Sequence, residues 1–158
     1  MLTGSVNIER YIKTHTTNIK LNAGFVKSSY KNIVNSTPNK VEYKNQNYGI
    51  EIRSGFTGIF NYNFGTTWKH NEIVASNSEN SFINNESFLD LTFIANKKLD
   101  SKLEAERYYL GNLMSKENEY YFLDFDANYK FLENKLTFSL EGKNLFNSQV
   151  FRTILLVT

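Results

Sequence analysis

The feature that most constrains this chain is strict alternation of apolar and polar side chains over runs long enough to be whole strands. It is clearest from Tyr121 to Phe131. Tyr121, Leu123, Phe125, Ala127, Tyr129 and Phe131 take every second position, and Phe122, Asp124, Asp126, Asn128 and Lys130 fill the gaps. Side chains repeat every 3.6 residues on a helix and every 2 on a strand, so this run predicts a strand with one apolar and one charged face. Leu136, Phe138 and Leu140 then alternate with Thr137, Ser139 and Glu141. Leu132-Glu133-Asn134 between the two runs predicts a hairpin turn.

The same reading extends backwards through the chain. Leu89, Leu91, Phe93 and Ala95 share a face, as do Leu103, Ala105 and Tyr109, with Lys102, Glu104 and Glu106 opposite the second set. Arg107 interrupts that apolar face. Phe56, Gly58, Phe60, Tyr62, Phe64 and Trp68 share another face; Ile50 and Ile52, Ile19 to Phe25, and Val6 to Ile12 mark the earlier strands. The pattern predicts about eight antiparallel strands of roughly 10–14 residues in up-and-down order, longer than the usual globular strand. Short turns are expected near Lys13–Thr16, Ser54–Thr57, Lys97–Ser101 and Leu132–Asn134. Long polar loops are expected at Ile33–Lys40, Ile73–Glu86 and Leu113–Glu119. Short turns at one end and long loops at the other are the wiring of membrane β-barrels.

Composition agrees with an all-β chain. Aromatic residues make up 15%, and proline occurs once, at Pro38; proline cannot donate to a sheet ladder. No cysteine is present, which excludes disulfides, thiolate metal sites and cysteine nucleophiles. The net charge of +2 gives no basic stripe for nucleic acid. Met1–Val6 lacks the pattern of a signal peptide. No apolar run reaches the ~18 residues of a membrane helix, so any membrane crossing must be by strands. Three features favour that crossing over a soluble sheet. The strands are long enough, the polar face carries full charges, and aromatics such as Trp68, Tyr120, Tyr121, Phe131 and Phe56 sit near strand ends. A soluble β-barrel holding an apolar ligand would reverse the faces.

The stretch from Lys135 to Asn147 ends in Asn144-Leu145-Phe146-Asn147 and resembles the penultimate barrel strand of TonB-dependent receptors. Phe151 fits the aromatic that follows in that family. Asn47-Tyr48-Gly49-Ile50-Glu51-Ile52 and the Leu89–Leu99 and Tyr121–Phe131 strands are similar in rhythm to the same barrel. The resemblance implies that residues 1–158 are the C-terminal part of an outer-membrane barrel, incomplete as it stands. The family's N-terminal plug domain and final strand with its terminal aromatic are then expected to be absent. It implies a receptor for uptake of a ligand, with outer-membrane lipid, the plug, TonB and that ligand as partners. A small stand-alone eight-stranded outer-membrane barrel, structural or adhesive, is the alternative.

No catalytic, cofactor or metal constellation is predicted. His15 and His70 are far apart and read as exposed loop histidines, and the Asp124/Asp126 pair reads as a solvated face. Leu123, Phe125, Leu136, Phe138 and Leu140 are expected to face lipid, and Asp124, Asp126, Asn128 and Glu141 to face a wet lumen. This facing gives a direct test in the full-length protein. Phe138→Lys should lose about 2–4 kcal/mol of folding free energy in lipid vesicles if it lies near the midplane, and Ser139→Lys much less. Equal losses in denaturant titrations would remove the distinction between the faces.

Overall fold

A computed structural model describes residues 1–34, 37–55, 58–75, 78–113, 118–131 and 136–145. They form one antiparallel sheet of eight strands, β1 (Leu2–Ile12), β2 (Thr17–Val34), β3 (Thr37–Ser54), β4 (Phe60–Ala75), β5 (Ser78–Ile94), β6 (Leu99–Leu110), β7 (Glu119–Phe131) and β8 (Leu136–Gly142). Each strand pairs with its neighbours in sequence, in the order β1 to β8. Among the described residues β1 and β8 do not pair with each other, so the sheet is open.

Register decides which residues share a face. Ile8 lies opposite Leu21, Leu21 opposite Ile50, and Ile52 opposite Phe64. Phe64 faces Leu89, Leu89 faces Ala105, Ala105 faces Leu123, and Ala127 faces Leu140. A slip of one residue at any ladder would send a whole strand's apolar set to the other side. This sheet has no hydrophobic core to pack. Val41 is the one buried apolar side chain among the described residues, whereas Val6 is 60% exposed, Phe60 55% and Phe138 47%. Five buried side chains are polar: Thr17, Ser54, Asn61, Asn71 and Asn85.

The turn at one end of the sheet is fixed by polar side chains. A 3-10 turn at Lys13–His15 ends on Thr16, whose φ of 45° is left-handed. The Thr17 hydroxyl donates to the His15 carbonyl at 2.8 Å and lies 2.7 Å from the Tyr62 hydroxyl, tying this turn to β4. Asn61, 1% exposed, donates to the Gly58 carbonyl at 2.9 Å. Asn96 accepts from the backbone of Lys98 (2.7 Å) and Leu99 (3.1 Å), an Asx turn that closes β5 onto β6.

Two expectations need correction. Ile33–Lys40 and Ile73–Glu86 are not long loops. β2 and β3 stay paired from Thr17↔Ser54 to Val34↔Thr37, and β4 and β5 from Phe60↔Phe93 to Ala75↔Ser78. Ladder hydrogen bonds belong to the backbone, so a stretch rich in Asn, Ser, Lys and Glu can extend a strand without any apolar signal. Strand lengths consequently run from 7 to 18 residues. His70 is not in a loop either; it lies inside β4, opposite Gln46 and Ile83, with Nε2 2.9 Å from the Ser81 hydroxyl. Phe56 and the turn Leu132–Asn134 fall outside the described residues.

Gly65 shows where the sheet tolerates no side chain. A Cβ there would sit 2.6 Å from the Ile50 carbonyl oxygen and 2.9 Å from the Phe88 ring, which lies across the glycine. Gly65→Val should therefore lower stability by about 1–3 kcal/mol, as overpacking does. Gly58→Ala, with nothing nearer than 3.5 Å, should stay close to neutral. Denaturant midpoints in detergent would compare them, and a neutral Gly65→Val would mean that Phe88 does not pack there.

Candidate functional site

The sequence-predicted polar residues of β7 and β8 are brought together on one face. Asn128 donates to Asp126 at 2.6 Å and to Asp100 of β6 at 3.2 Å, and accepts from Ser139 of β8 at 2.7 Å. Asp126 lies opposite Glu141. Asp124 does something the sequence did not suggest. Its Oδ1 accepts the backbone N–H of Asn144 at 2.7 Å, and the Leu145 N–H donates to the Leu123 carbonyl at 2.8 Å. Asn144 has a φ of 52°, left-handed, a conformation that asparagine tolerates better than most residues. The chain beyond β8 is thus held along β7 by Asp124. Phe146 and Asn147, the rest of the family-like motif, lie outside the described residues. Beside this turn Glu104, Glu106, Phe122, Asp124, Lys143 and Asn144 line a recess of about 380 Å³. Leu123, Phe125, Leu136, Phe138 and Leu140 share the opposite face by register.

Arg107 finds its explanation on the apolar face. Its guanidinium donates to Asn85 Oδ1 (3.1 Å), the Tyr121 hydroxyl (3.3 Å) and Glu119 (3.0 Å). Tyr121 donates to Glu119 at 2.6 Å, and Ser87 donates to Asn85 at 3.1 Å. Asn85 donates to Thr66 at 2.8 Å, which lies 2.9 Å from the Ser87 hydroxyl. One connected network therefore crosses β4, β5, β6 and β7. The Arg107–Glu119 pair is too exposed to add much stability, but hydrogen bonds from Nε, Nη1 and Nη2 leave no bare charge on an apolar surface. Only Arg107 stood out in the sequence. The polar members recur at matching register in successive strands, a signal visible only once the ladders are aligned.

The second feature the sequence reading missed is an inversion of the faces along β2 to β5. On one side Ile19, Leu21, Ala23 and Phe25 give way to Lys27, Ser29 and Lys31, and Ile52, Ile50 and Tyr48 to Lys44, Glu42 and Lys40. On the other side Asn18, Lys20 and Asn22 give way to Val26 and Tyr30, and Arg53, Glu51 and Asn47 to Tyr43 and Val41. In β4 the change runs from Asn61, Asn63 and Lys69 to Ile73, and in β5 from Asp90 and Glu86 to Phe82. Below the change the lower apolar stretch, Thr17 to Phe25 or Phe60 to Trp68, is about nine residues, the length a tilted membrane strand needs. Beyond it the side that began apolar is laced with ion pairs, Lys40–Glu42 at 2.5 Å and Lys44–Glu72 at 2.6 Å. The opposite side holds Tyr43, which donates to Asn71 at 3.1 Å.

The hydrogen bond from Lys40, with the charges of Lys40 and Lys27, holds the Glu42 carboxyl below the usual carboxylate range; the bond to Glu72 raises Lys44. A depressed carboxylate contributes stability above its ordinary pKa and loses it as pH falls through the lowered value. Lys40→Gln should move the Glu42 titration back up, measured by carbonyl NMR in micelles. An unchanged titration would mean that the pair is not formed in solution.

Among the described residues no group of three or more His, Asp or Glu side chains could hold a metal ion. A family model described as the outer membrane protein beta-barrel family matches residues 3–157. No curated protein and no solved structure matches the chain.

Proposed function

Because the chain belongs to the outer membrane protein β-barrel family, we propose that its sheet is a section of the wall of a TonB-dependent receptor in the bacterial outer membrane. Membership of that family overturns the soluble barrel, and the exposed apolar face agrees. The apolar face, with Leu123, Phe125, Leu136, Phe138 and Leu140, meets lipid. The polar face, with Asp124, Asp126, Asn128 and Glu141, lines a lumen that a plug domain would fill. The wall performs no chemistry of its own. It holds a rigid frame, and recognition falls to the part of β2 to β5 beyond the inversion, where Val26, Tyr30, Val41, Tyr43, Ile73 and Phe82 turn inward. Energy for uptake would come through the plug and TonB.

The observation that carries the receptor reading is the open sheet. A free strand edge in hydrocarbon leaves donors and acceptors unsatisfied, so β1 and β8 must each pair with some strand. In a large barrel those partners are other strands of the wall. The second reading rests on the strand number, since eight strands suffice to close a barrel, and β1 would then pair with β8.

These 158 residues contain no cysteine, so cysteine pairs introduced here separate the two in cells carrying the full-length protein, with any cysteine elsewhere in it replaced by serine. Asn7→Cys combined with Asn22→Cys should cross-link, because these residues are paired. Ser5→Cys or Asn7→Cys combined with Thr137→Cys or Ser139→Cys should not, if the wall continues past both edges. Efficient β1–β8 cross-linking in the outer membrane would establish the closed eight-stranded barrel and end the receptor reading.

A further inference from the structure

The apolar face carries a groove of about 490 Å³ lined by Gly4, Val6, Ala23, Phe25, Gln46 and Tyr48. Its origin is local. Gly4 and Ala23 are the smallest same-face residues of β1 and β2, and they lie beside large neighbours. Gly4 is opposite Phe25, whose ring covers the glycine so closely that a Cβ there would sit 2.7 Å from Cε1. Ala23 is opposite Val6 on one side and Tyr48 on the other. The result is a furrow between Val6, Phe25 and Tyr48.

The rim is chemically different from the floor. Phe25 pairs with Gln46, and the next pair up on the same face is Lys27 opposite Lys44. Like charges directly across a ladder repel and are destabilising. Lys44 is answered by Glu72 at 2.6 Å. Lys27 makes no hydrogen bond or ion pair among the described residues, although its charge is felt by the Glu42 carboxyl. The level of this pair is where the apolar stretch ends and the charged one begins.

We propose that the groove and Lys27 form a binding site for one anionic membrane lipid, with an acyl chain in the furrow and its phosphate at Lys27 and Lys44. The two halves of the site match the two halves of such a lipid in order and in depth. An apolar slot on a surface that already faces lipid takes hydrocarbon, and a phosphate between the lysines relieves their repulsion. Gln46, between furrow and lysines, offers an amide at the level of the lipid's ester groups. The proposal stands on the lipid exposure of this face and is indifferent to whether the wall belongs to a receptor or to a small barrel.

The test uses the full-length protein in phosphatidylcholine vesicles with spin-labelled phosphatidylglycerol or spin-labelled phosphatidylcholine as probe. Electron paramagnetic resonance reads the motion-restricted fraction of each. The native protein should restrict the anionic probe preferentially. Lys27→Gln should lower that preference about fivefold, the worth of one basic residue at an anionic membrane surface. Lys31→Gln, on the same face but two same-face steps beyond the groove, should leave it unchanged. Ala23→Trp should fill the furrow and reduce the restricted fraction of both probes. Equal loss for Lys27→Gln and Lys31→Gln would mean a diffuse basic field and overturn the site. So would an unaltered preference in Lys27→Gln, which decides the matter even if Ala23→Trp does not fold. Full displacement of the anionic probe by millimolar inorganic phosphate would show a soluble-anion site instead.

Discussion

In hydrocarbon no water is available to satisfy a stray N–H or C=O, and each unsatisfied group costs several kcal/mol. The rest of this structure follows from that requirement. It favours long strands, keeps neighbours in sequence as neighbours in space, and joins each to the next by a continuous ladder. It also separates the two jobs a soluble protein combines. The backbone carries the architecture, and the side chains are released from forming a core. Apolar residues share one face and stay exposed. The buried side chains are mostly amides and hydroxyls, such as Asn61 and Ser54 at the turns and Asn85 within β5.

Arg107 is a charge set in the apolar face, and it is accommodated there in company. Arg107 is held by an amide, a phenol and a carboxylate from neighbouring strands, and the amide is held in turn by Thr66 and Ser87. The same logic operates at the end of β8, where the Asp124 carboxylate takes the N–H that the left-handed turn at Asn144 would otherwise strand. Asp124 and Asn144 drew notice for separate reasons, one as a lumen residue and one as part of a motif, and the fold makes them one contact.

The sequence was legible where its period matched a single environment. Over Tyr121–Phe131 and Leu136–Leu140 the alternation identified two neighbouring strands and the residues that share each face. It became illegible above Phe25 and Tyr48, because the phase of the alternation shifts there by one residue. Phe25 and Val26 lie on opposite faces, and a reader following the odd positions meets Lys27, Ser29 and Lys31 and loses the apolar signal. Nothing local distinguishes a polar loop from a polar strand whose outward face is wet. The same limit hid the Arg107 network, since Thr66, Ser87, Asn85 and Glu119 are unremarkable one strand at a time and meet only through pairing.

The inversion along β2 to β5 also behaves as a waterline. If the wall sank by one same-face step, about 7 Å along the strand, Lys27, Lys44 and Glu72 would enter the apolar layer. If it rose by two such steps, Phe25, Tyr48 and Trp68 would be lifted into water. Both displacements are opposed, the first by charge desolvation that steepens with depth and the second by renewed contact of aromatic surface with water. The depth at which these strands sit in the bilayer is thus favoured by the strands themselves.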